Sequence, residues 1–308
     1  MIVPNTPATS STNLRAARGA WRGYLELTKP KVVALITFTA VVGALLASGE
    51  GVPPLASLFA ASAGIALAAA SAATLNHVLE SRIDAQMART RTRPLPAGRL
   101  SRGRAIALAA ALAGMAMGIL VLWANAVAAV LTFASLIAYA ALYTLWLKPA
   151  TPQNIVIGGV AGAMPPVLGW TAVTGRADAN AWLLFLIIFV WTPPHFWALA
   201  IARRAEYARA SIPMLPVTHG VEHTSLQILL YTILLTVVTL LPFLTRMSGP
   251  LYLGAALVLD FRFLYYALAL KLSSRPQPMR VFRFSVTYLM WLFAALLVDH
   301  YLVGLRRT

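Results

Sequence analysis

Residue types and spacing suited to chemistry concentrate in one polar stretch, residues 76–104, which reads NHVLESRIDAQMARTRTRPLPAGRLSRGR. Asn76, Glu80 and Asp84 recur every four residues, so on an α-helix they share one face that drifts slowly around the axis. Arginines follow at positions 82, 89, 91, 93, 99, 102 and 104. Carboxylates beside a dense arginine cluster predict a metal site and an anion site side by side.

The ligand chemistry of this stretch favours Mg²⁺ and a phosphate group. Mg²⁺ takes oxygen ligands, often one or two carboxylates together with phosphate oxygens of a substrate. Arg89 and Arg93 lie closest to the acids and can hold a diphosphate through paired N–H groups. Arg99, Arg102 and Arg104 are assigned instead to membrane topology. The alternative is an ordinary helix end with solvated acids and with arginines at lipid headgroups.

A second stretch, residues 192–216, repeats the pattern and reads TPPHFWALAIARRAEYARASIPMLP. An apolar run that contains His195 ends in four polar residues, namely Arg203, Arg204, Glu206 and Tyr207. If both stretches end on the same side of a membrane, they form two half-sites that face each other across a cavity. Packing by His195 and a topological role for the two arginines stay open as alternatives.

A third stretch, residues 143–170, supplies further candidates. Lys148 and Asn154 can reach phosphate oxygens, and Tyr143 offers a hydroxyl group or an aromatic face. Glycines at 158, 159 and 162 predict close helix packing, and the Pro-Pro pair at 165 and 166 predicts a helix break. The spacing of His219 and His223 suits a metal, but a loop before the next apolar segment is the favoured interpretation. The chain has no P-loop, nucleophile elbow or H-E-x-x-H motif.

The composition requires a membrane protein. Of the 308 residues, 59% are hydrophobic and 11% are charged, with a mean hydropathy of +0.74. The net charge of +16 lies in short loops between apolar runs, so topology explains it better than nucleic-acid binding. The absence of cysteine excludes disulfides, thiolate metal sites and haem attachment through C-x-x-C-H.

Nine apolar segments are long enough to cross a bilayer, which predicts an all-α, nine-transmembrane-helix bundle. They lie near 32–49, 55–79, 103–123, 126–147, 155–175, 181–201, 225–245, 250–270 and 284–304. With this count, 20 of the 25 cations fall on one side, so the N-terminus and the loops after even-numbered helices are predicted to be cytoplasmic. Residues 1–22 are predicted to be a disordered cytoplasmic leader, and residues 23–308 a single membrane domain.

One pair of charges does not fit the apolar pattern. Asp260 and Arg262 lie inside the eighth segment, where charges are costly. An ion pair or a helix interruption without a chemical role is the favoured interpretation, and a substrate contact is the alternative.

The ordered set of motifs resembles a known family. LTKPK at 27–31, the block 76–95, YTxxLK with NIVIGG, WTPPHFWALAI and EYxxAxIPMLPV are similar to protohaem IX farnesyltransferases, or haem O synthases. These enzymes are a branch of the UbiA-type intramembrane prenyltransferase superfamily. The resemblance spans roughly residues 22 to 300, and the motifs TPPHFWAL and IPMLPV are specific to the haem-farnesylating branch.

The resemblance implies an activity and a site. The farnesyl group of farnesyl diphosphate would pass to a vinyl group of haem B with addition of water, inside a central cavity that opens toward the cytoplasmic side. Asn76, Glu80, Asp84 and Glu206 would bind Mg²⁺, with Tyr207 beside them. Arg89, Arg93, Lys148, Arg203 and Arg204 would hold the diphosphate. His195, Tyr143 and Asn154 would lie toward haem or the prenyl substrate.

Two departures from the superfamily pattern affect the metal site. Glu80 replaces an aspartate, and Ala210 stands where the second motif has another acid. The alternatives are a related prenyltransferase that acts on a quinone precursor or a chlorophyll-type acceptor, and a transporter or non-catalytic haem-delivery protein. The expected location is the bacterial cytoplasmic membrane, with the mitochondrial inner membrane as the alternative. Haem A synthase and oxidase assembly proteins are the expected protein partners, and no nucleic acid is expected.

Overall fold

A computed structural model describes residues 21–49, 51–274 and 276–304, and this part of the chain is α-helical with no strand. Residues 1–20 of the predicted leader lie outside it. We number the helices in chain order. They are α1 Trp21–Leu27, α2 Pro30–Leu46, α3 Leu55–Gln86, α4 Arg102–Trp123, α5 Ala126–Ala150, α6 Asn154–Thr174, α7 Ala179–Ala202, α8 Arg204–Arg209, α9 Leu215–Thr218, α10 Gly220–Leu244, α11 Pro250–Leu272 and α12 Pro278–Gly304.

The span count agrees with the prediction. In the described chain, eight helices are long and apolar enough to cross a membrane, and α1 with α2, bent by 49°, makes a ninth. The boundaries differ most at α3, which continues to Gln86 where 79 was expected, and at α12, which begins at Pro278 where 284 was expected. Both extensions contain charged residues, which are Glu80, Arg82 and Asp84 in α3 and Arg280 and Arg283 in α12. The segments predicted from hydropathy are therefore shorter than the helices.

The bundle is tightest where α2 crosses α6. A Cβ on Gly43 would overlap the backbone of Pro166, and a Cβ on Gly169 would overlap the backbone of Ala40. Because glycine lets two backbones touch, any larger residue at either position would push the helices apart. The predicted break in α6 is present at Met164, immediately before the Pro-Pro pair.

The predicted packing role of the α6 glycines holds for two of the three. A Cβ on Gly158 would overlap the ring of Tyr143, and one on Gly159 would lie 3.2 Å from the Thr192 side chain. A Cβ on Gly162 would meet no heavy atom within 4 Å. The contact surface is therefore the adjacent pair, and the i, i+4 spacing to Gly162 plays no part in it.

The interpretation of Asp260 and Arg262 as an ion pair or interruption is wrong. Helix α11 is continuous through both residues, and the ion pairs of the described residues do not join them. Asp260 is buried and accepts hydrogen bonds from the Thr239 hydroxyl of α10 at 2.8 Å and the Tyr288 hydroxyl of α12 at 2.6 Å. Because an aspartate can be satisfied by hydroxyl donors, no cation is needed.

Arg262 points the other way, out of the bundle. It is exposed, donates to the Tyr266 hydroxyl at 3.3 Å, and lies over the rings of Tyr266 and Phe284 at 5.8 and 5.6 Å. The attraction between the cation and the aromatic faces partly offsets the free-energy cost of placing a charged side chain in an apolar segment.

The interpretation of the two histidines as a loop is half wrong. His219 follows α9, but His223 lies in the first turn of α10, since that helix begins five residues earlier than predicted. Their rings are 5.3 Å apart. In the described residues, no group of three or more histidine, aspartate and glutamate side chains lies close enough to hold a metal.

Candidate active site

The first half-site is built on one face of α3, as the spacing predicts. Asn76, Glu80 and Asp84 are 3%, 6% and 3% exposed, and each is held by a cation from another segment. The contacts are Lys29 Nζ to Asn76 Oδ1 at 2.6 Å, Lys148 Nζ to Glu80 Oε1 at 2.5 Å, and Arg93 to the two Asp84 oxygens at 2.9 and 2.7 Å. Since two buried carboxylates repel one another, these cations are what makes the cluster stable.

Lys29 enters the site through an unusual backbone conformation. It lies at the break between α1 and α2 with φ 49° and ψ 59°, the left-handed region that non-glycine residues rarely adopt. Pro30 then starts α2, a position that suits its fixed φ. Strained residues of this kind cluster at functional sites. The sequence interpretation gave Lys29 only a topological role, although the LTKPK motif contained it.

A π-helical stretch in α5, Ala138–Leu147, brings the third group of candidates to α3. The Thr144 hydroxyl donates to the main-chain oxygen of Tyr139, five residues earlier, at 2.9 Å, and accepts from Asn76 Nδ2 at 3.4 Å. The stretch ends at Lys148, the partner of Glu80. The wider helix turn thus sets which α5 side chains face the acids. The sequence analysis missed Thr144 as a site residue because it assumed a regular turn of 3.6 residues.

Tyr143 lies beside this cluster rather than in it. Its ring packs against Gly158 and stacks on Tyr139, with the ring centres 5.6 Å apart. It is close enough to Glu80 and Tyr207 to interact with both electrostatically. Tyr143 therefore connects the two half-sites.

The loop after α3 folds back over the end of that helix. The buried Thr90 hydroxyl donates to the main-chain oxygen of Asp84 at 2.8 Å, while Arg93 holds the carboxylate of the same residue. This places Arg89 so that its Nε is 3.8 Å from Glu206 Oε2. The two predicted half-sites therefore meet at this contact.

The second half-site is smaller and more open. Glu206 on α8 accepts from Arg203 at 3.1 Å, and its side chain is 26% exposed. The other oxygen, Oε2, is buried without a hydrogen-bond partner. Arg204 is exposed, and none of the ion pairs of the described residues includes it. A cleft of about 180 Å³ separates Glu206 and Arg209 from residues 85–88 and Arg91.

The charges of the joined half-sites do not balance. Three carboxylates stand among five cations, which are Lys29, Arg89, Arg93, Lys148 and Arg203. Burial and the neighbouring Arg93 and Arg203 lower the pKa of Arg89 from its ordinary value. A site with excess positive charge stabilises a bound polyanion.

The donor types fit Mg²⁺, but among the described residues Glu80, Asp84 and Glu206 do not stand together as a group of three metal ligands, so phosphate oxygens would have to complete the coordination. Asn76, Glu80, Asp84 and Glu206 offer amide and carboxylate oxygens, the ligands this ion prefers, and Oε2 of Glu206 has no hydrogen-bond partner. A carboxylate has about four lone-pair sites, so a bound arginine or lysine leaves room for a metal on the same group.

His195 is fixed by a hydrogen bond and two stacked rings. Its Nδ1 lies 2.7 Å from Ser285 Oγ, and its ring stacks on Trp191 and Phe282 at 4.3 and 4.6 Å. When Ser285 donates its single hydroxyl hydrogen to the main-chain oxygen of Phe282 at 2.7 Å, Nδ1 carries the imidazole proton and donates to Ser285 Oγ. The other nitrogen, Nε2, therefore keeps a lone pair.

Asn154 opens α6 and is fully buried. Its amide donates to the main-chain oxygen of Thr151 at 2.6 Å, while its Oδ1 has no partner among the described residues. It holds the turn that follows Lys148 and keeps one acceptor free.

The comparisons with known sequences agree on one family. The UbiA prenyltransferase family matches residues 36–297. A curated relative from Pseudomonas putida (strain W619), named protoheme IX farnesyltransferase 1, is 58% identical over 294 residues, 95% of this chain and 99% of that protein. A protoheme IX farnesyltransferase from Alkalilimnicola ehrlichii is 60% identical over 283 residues, 92% of this chain and 93% of that protein.

Solved structures show the same fold. The digeranylgeranylglyceryl phosphate synthase structure is similar with a TM-score of 0.76 and 19% identity, over 92% of this chain and 99% of that chain. A UbiA homolog from Archaeoglobus fulgidus, bound to DMAPP and Mg²⁺, is similar with a TM-score of 0.63 and 15% identity, over 89% and 98% of the two chains.

Proposed function

The chain belongs to the UbiA prenyltransferase family, and we propose that it transfers the farnesyl group of farnesyl diphosphate to a vinyl group of haem B. Addition of water completes the reaction and gives haem O and diphosphate. Relatives of 56–60% identity that bear the name protoheme IX farnesyltransferase support this acceptor and donor. The observation that carries the proposal is the cation-rich cluster around buried carboxylates where two helix ends meet.

Ionisation of farnesyl diphosphate is the step this cluster assists. The bond from the allylic carbon to the diphosphate oxygen breaks, and both electrons leave with the diphosphate. Arg93, Lys148, Arg89, Arg203 and Arg204 stabilise the negative charge that develops on the leaving group. Fixed cations in a site shielded from water lower the barrier because they need no reorganisation during the step.

The reaction uses Mg²⁺, which neutralises diphosphate charge when it is bound. Asn76, Glu80 and Asp84 would hold it on the α3 side and Glu206 on the α8 side, and Tyr207 is close enough to Arg89 to act on it electrostatically. Lys148 and Arg93 already contact the same carboxylates. They are therefore placed to hold both the carboxylates and the diphosphate.

The farnesyl cation must survive until it meets the vinyl group. An apolar environment would keep water away from it, and the stacked rings of Tyr139 and Tyr143 offer an aromatic face that can stabilise a cation. Attack by the vinyl π electrons forms the new carbon–carbon bond, and water then adds to the cation on the porphyrin side chain with loss of a proton. No nucleophilic side chain is needed.

His195, Tyr143 and Asn154 are the proposed haem-side and substrate-side contacts. His195 presents Nε2 with a lone pair, which suits haem iron or a hydrogen bond from a solvent molecule. Asn154 keeps a free amide oxygen beside the Lys148 turn.

Mass spectrometry of the haem pool tests the function. The purified protein receives haem B, farnesyl diphosphate and Mg²⁺, and haem O with released diphosphate is the expected product. A parallel reaction with 4-hydroxybenzoate distinguishes a quinone-pathway enzyme. Binding of haem without diphosphate release would identify a transporter or delivery protein and contradict the proposal.

The protein is an integral membrane protein, with several helices that can span a bilayer. We place it in the bacterial cytoplasmic membrane, with residues 23–308 as one domain. We also place its N-terminus in the cytoplasm, because 20 of the 25 cations lie on the same side of the membrane as the N-terminus. Since the chain has no cysteine, single cysteines at Arg91 and Arg246 report the two sides cleanly with an impermeant thiol reagent. Labelling of the cysteine at position 91 in intact cells would show that the orientation is the opposite of the one proposed.

A further inference from the structure

His77 is a buried side chain that the proposed chemistry leaves without a task. It is 2% exposed, and neither Nδ1 nor Nε2 has a hydrogen-bond partner among the described residues. A neutral imidazole has one N–H donor and one lone pair, and burying both without partners is unfavourable. Such a group in a folded protein calls for an explanation.

The helix places His77 on the same face as the acids. At about 100° per residue, Asn76, Glu80 and Asp84 span about 80° of the α3 circumference, and His77 falls about 20° beyond Asp84. His77 and Asp84 are thus two turns apart on nearly one line. The imidazole faces the cluster rather than the lipid, in agreement with its burial.

Two cations act on the ring, beside the acids that share its helix face. Lys29 and Arg93 act on it electrostatically, and these are the partners of Asn76 and Asp84. An anion would be attracted by both side chains and could accept the unused N–H. Glu206 Oε2 and Asn154 Oδ1 are also buried without a hydrogen bond, so buried polar atoms that lack hydrogen bonds recur in the candidate residues.

We infer that His77 is a further diphosphate-binding residue, which donates a ring N–H to a phosphate oxygen of the prenyl diphosphate. The inference rests on the proposed function. The missing hydrogen bond of the ligand-free protein is made only when the anion is present, so its formation adds to the affinity for the substrate. A histidine that serves packing alone would instead leave diphosphate binding unchanged when replaced by an apolar residue of similar size.

Two substitutions separate these roles. His77→Leu removes the donor and keeps an apolar side chain, and His77→Gln restores an N–H donor. Thr132→Val is the matched control, since the Thr132 hydroxyl is also buried without a partner, 12 residues before Thr144 on α5, about 18 Å along the helix. His77→Met replaces His77→Leu if the leucine variant does not fold.

Calorimetric titration of the full chain in detergent measures the result. Farnesyl diphosphate with Mg²⁺ is the first probe, and inorganic diphosphate with Mg²⁺ is the second, with haem B left out of both. We expect His77→Leu to weaken both affinities about tenfold to a hundredfold, because a hydrogen bond to a charged acceptor is lost. His77→Gln should stay within about threefold of wild type, and Thr132→Val should match wild type.

The outcomes distinguish a failure of the role inferred for His77 from a failure of the proposed function. Wild-type affinity in a folded His77→Leu protein would overturn the inference and leave the proposed function intact. Equal weakening in the leucine and glutamine variants would also overturn it, since the donor would then be irrelevant. A wild-type protein that binds neither probe would remove the proposed function, and this inference with it.

Discussion

The two half-sites contain the same residue types in different settings. In the first, Glu80 and Asp84 are almost fully buried on a helix of 32 residues, and each carboxylate has a cation within hydrogen-bond distance. In the second, Glu206 is 26% exposed on α8, a helix of six residues. Burial makes charge interactions strong and holds their geometry, while exposure permits movement. The first half-site therefore holds its groups in a more fixed geometry than the second.

The difference also concerns the number of acids. The first half-site has two carboxylates, whereas the second has Glu206 alone, with Ala210 one turn later. A single carboxylate cannot hold a metal without help, so the second half-site depends on the first. Substitutions should consequently be more harmful on α3 than on α8.

Removal of Mg²⁺ should have the largest effect, because both half-sites depend on the metal. We expect EDTA to bring haem O formation below detection, and added Mg²⁺ to restore it, as followed by mass spectrometry. Transfer that continues in excess chelator would contradict the metal-assisted mechanism in both half-sites.

Asp84→Asn should reduce transfer by about 10³-fold, since it removes a metal ligand and leaves Arg93 without its carboxylate. The rate of haem O formation is the measurement, and a thermal unfolding curve confirms that the variant is folded. Glu222→Gln is the matched control, because Glu222 pairs with Lys271 at an exposed position. Nearly full activity of Asp84→Asn would remove the first half-site from the mechanism.

Glu206→Gln should reduce kcat/KM for farnesyl diphosphate by about 10- to 100-fold, less than the change on α3. The reason is that Glu206 is partly solvated and has a second cation, Arg89, only at 3.8 Å. Steady-state kinetics with varied farnesyl diphosphate provide the comparison. A loss as large as that of Asp84→Asn would mean that the two half-sites are equivalent.

Ser285→Ala should slow transfer about tenfold and leave the KM for farnesyl diphosphate unchanged. The substitution removes the hydrogen bond that fixes the tautomer of His195, and His195 is proposed to contact haem rather than the diphosphate. The optical spectrum of bound haem B should shift in parallel, and Ser285→Thr should preserve both properties. An altered KM for the diphosphate substrate with an unaltered haem spectrum would argue against this division.

Arg99→Ala should have the smallest effect, within about twofold of wild type. Arg99 pairs with Glu26 at the surface, and exposed ion pairs contribute little. Arg93→Ala, six residues earlier in the same loop, is the contrasting variant and should be severely impaired. Kinetics of the pair test whether the basic loop divides into a site portion and a topological portion.

Hydropathy and helix periodicity were sufficient for the number of spans and for the shared face of Asn76, Glu80 and Asp84. These features depend on local sequence, where the 3.6-residue repeat and the bilayer thickness act directly. The distribution of cations also put Lys148 on the same membrane side as the loop after α3, but its pairing with Glu80 appears only in the structure.

The missed residues depend on backbone geometry that periodicity does not report. Lys29 reaches Asn76 only because it adopts a left-handed conformation, and Thr144 faces Asn76 only because α5 turns as a π-helix there. Asp260 was misjudged because a charge pattern suggested Arg262, whereas tertiary packing supplied two hydroxyl groups from other helices.

The hydrogen bonds of Asp260 also constrain how the last part of the chain enters the membrane. Alone in lipid, α11 would carry an unpaired aspartate near its centre, at a cost of about 3 kcal/mol. Its hydroxyl partners lie on the preceding and following helices, and the Asp299 carboxylate of α12 accepts from the main-chain nitrogens of Gly249 and Tyr252 at the start of α11. These three helices should therefore leave the translocation machinery as one assembled unit.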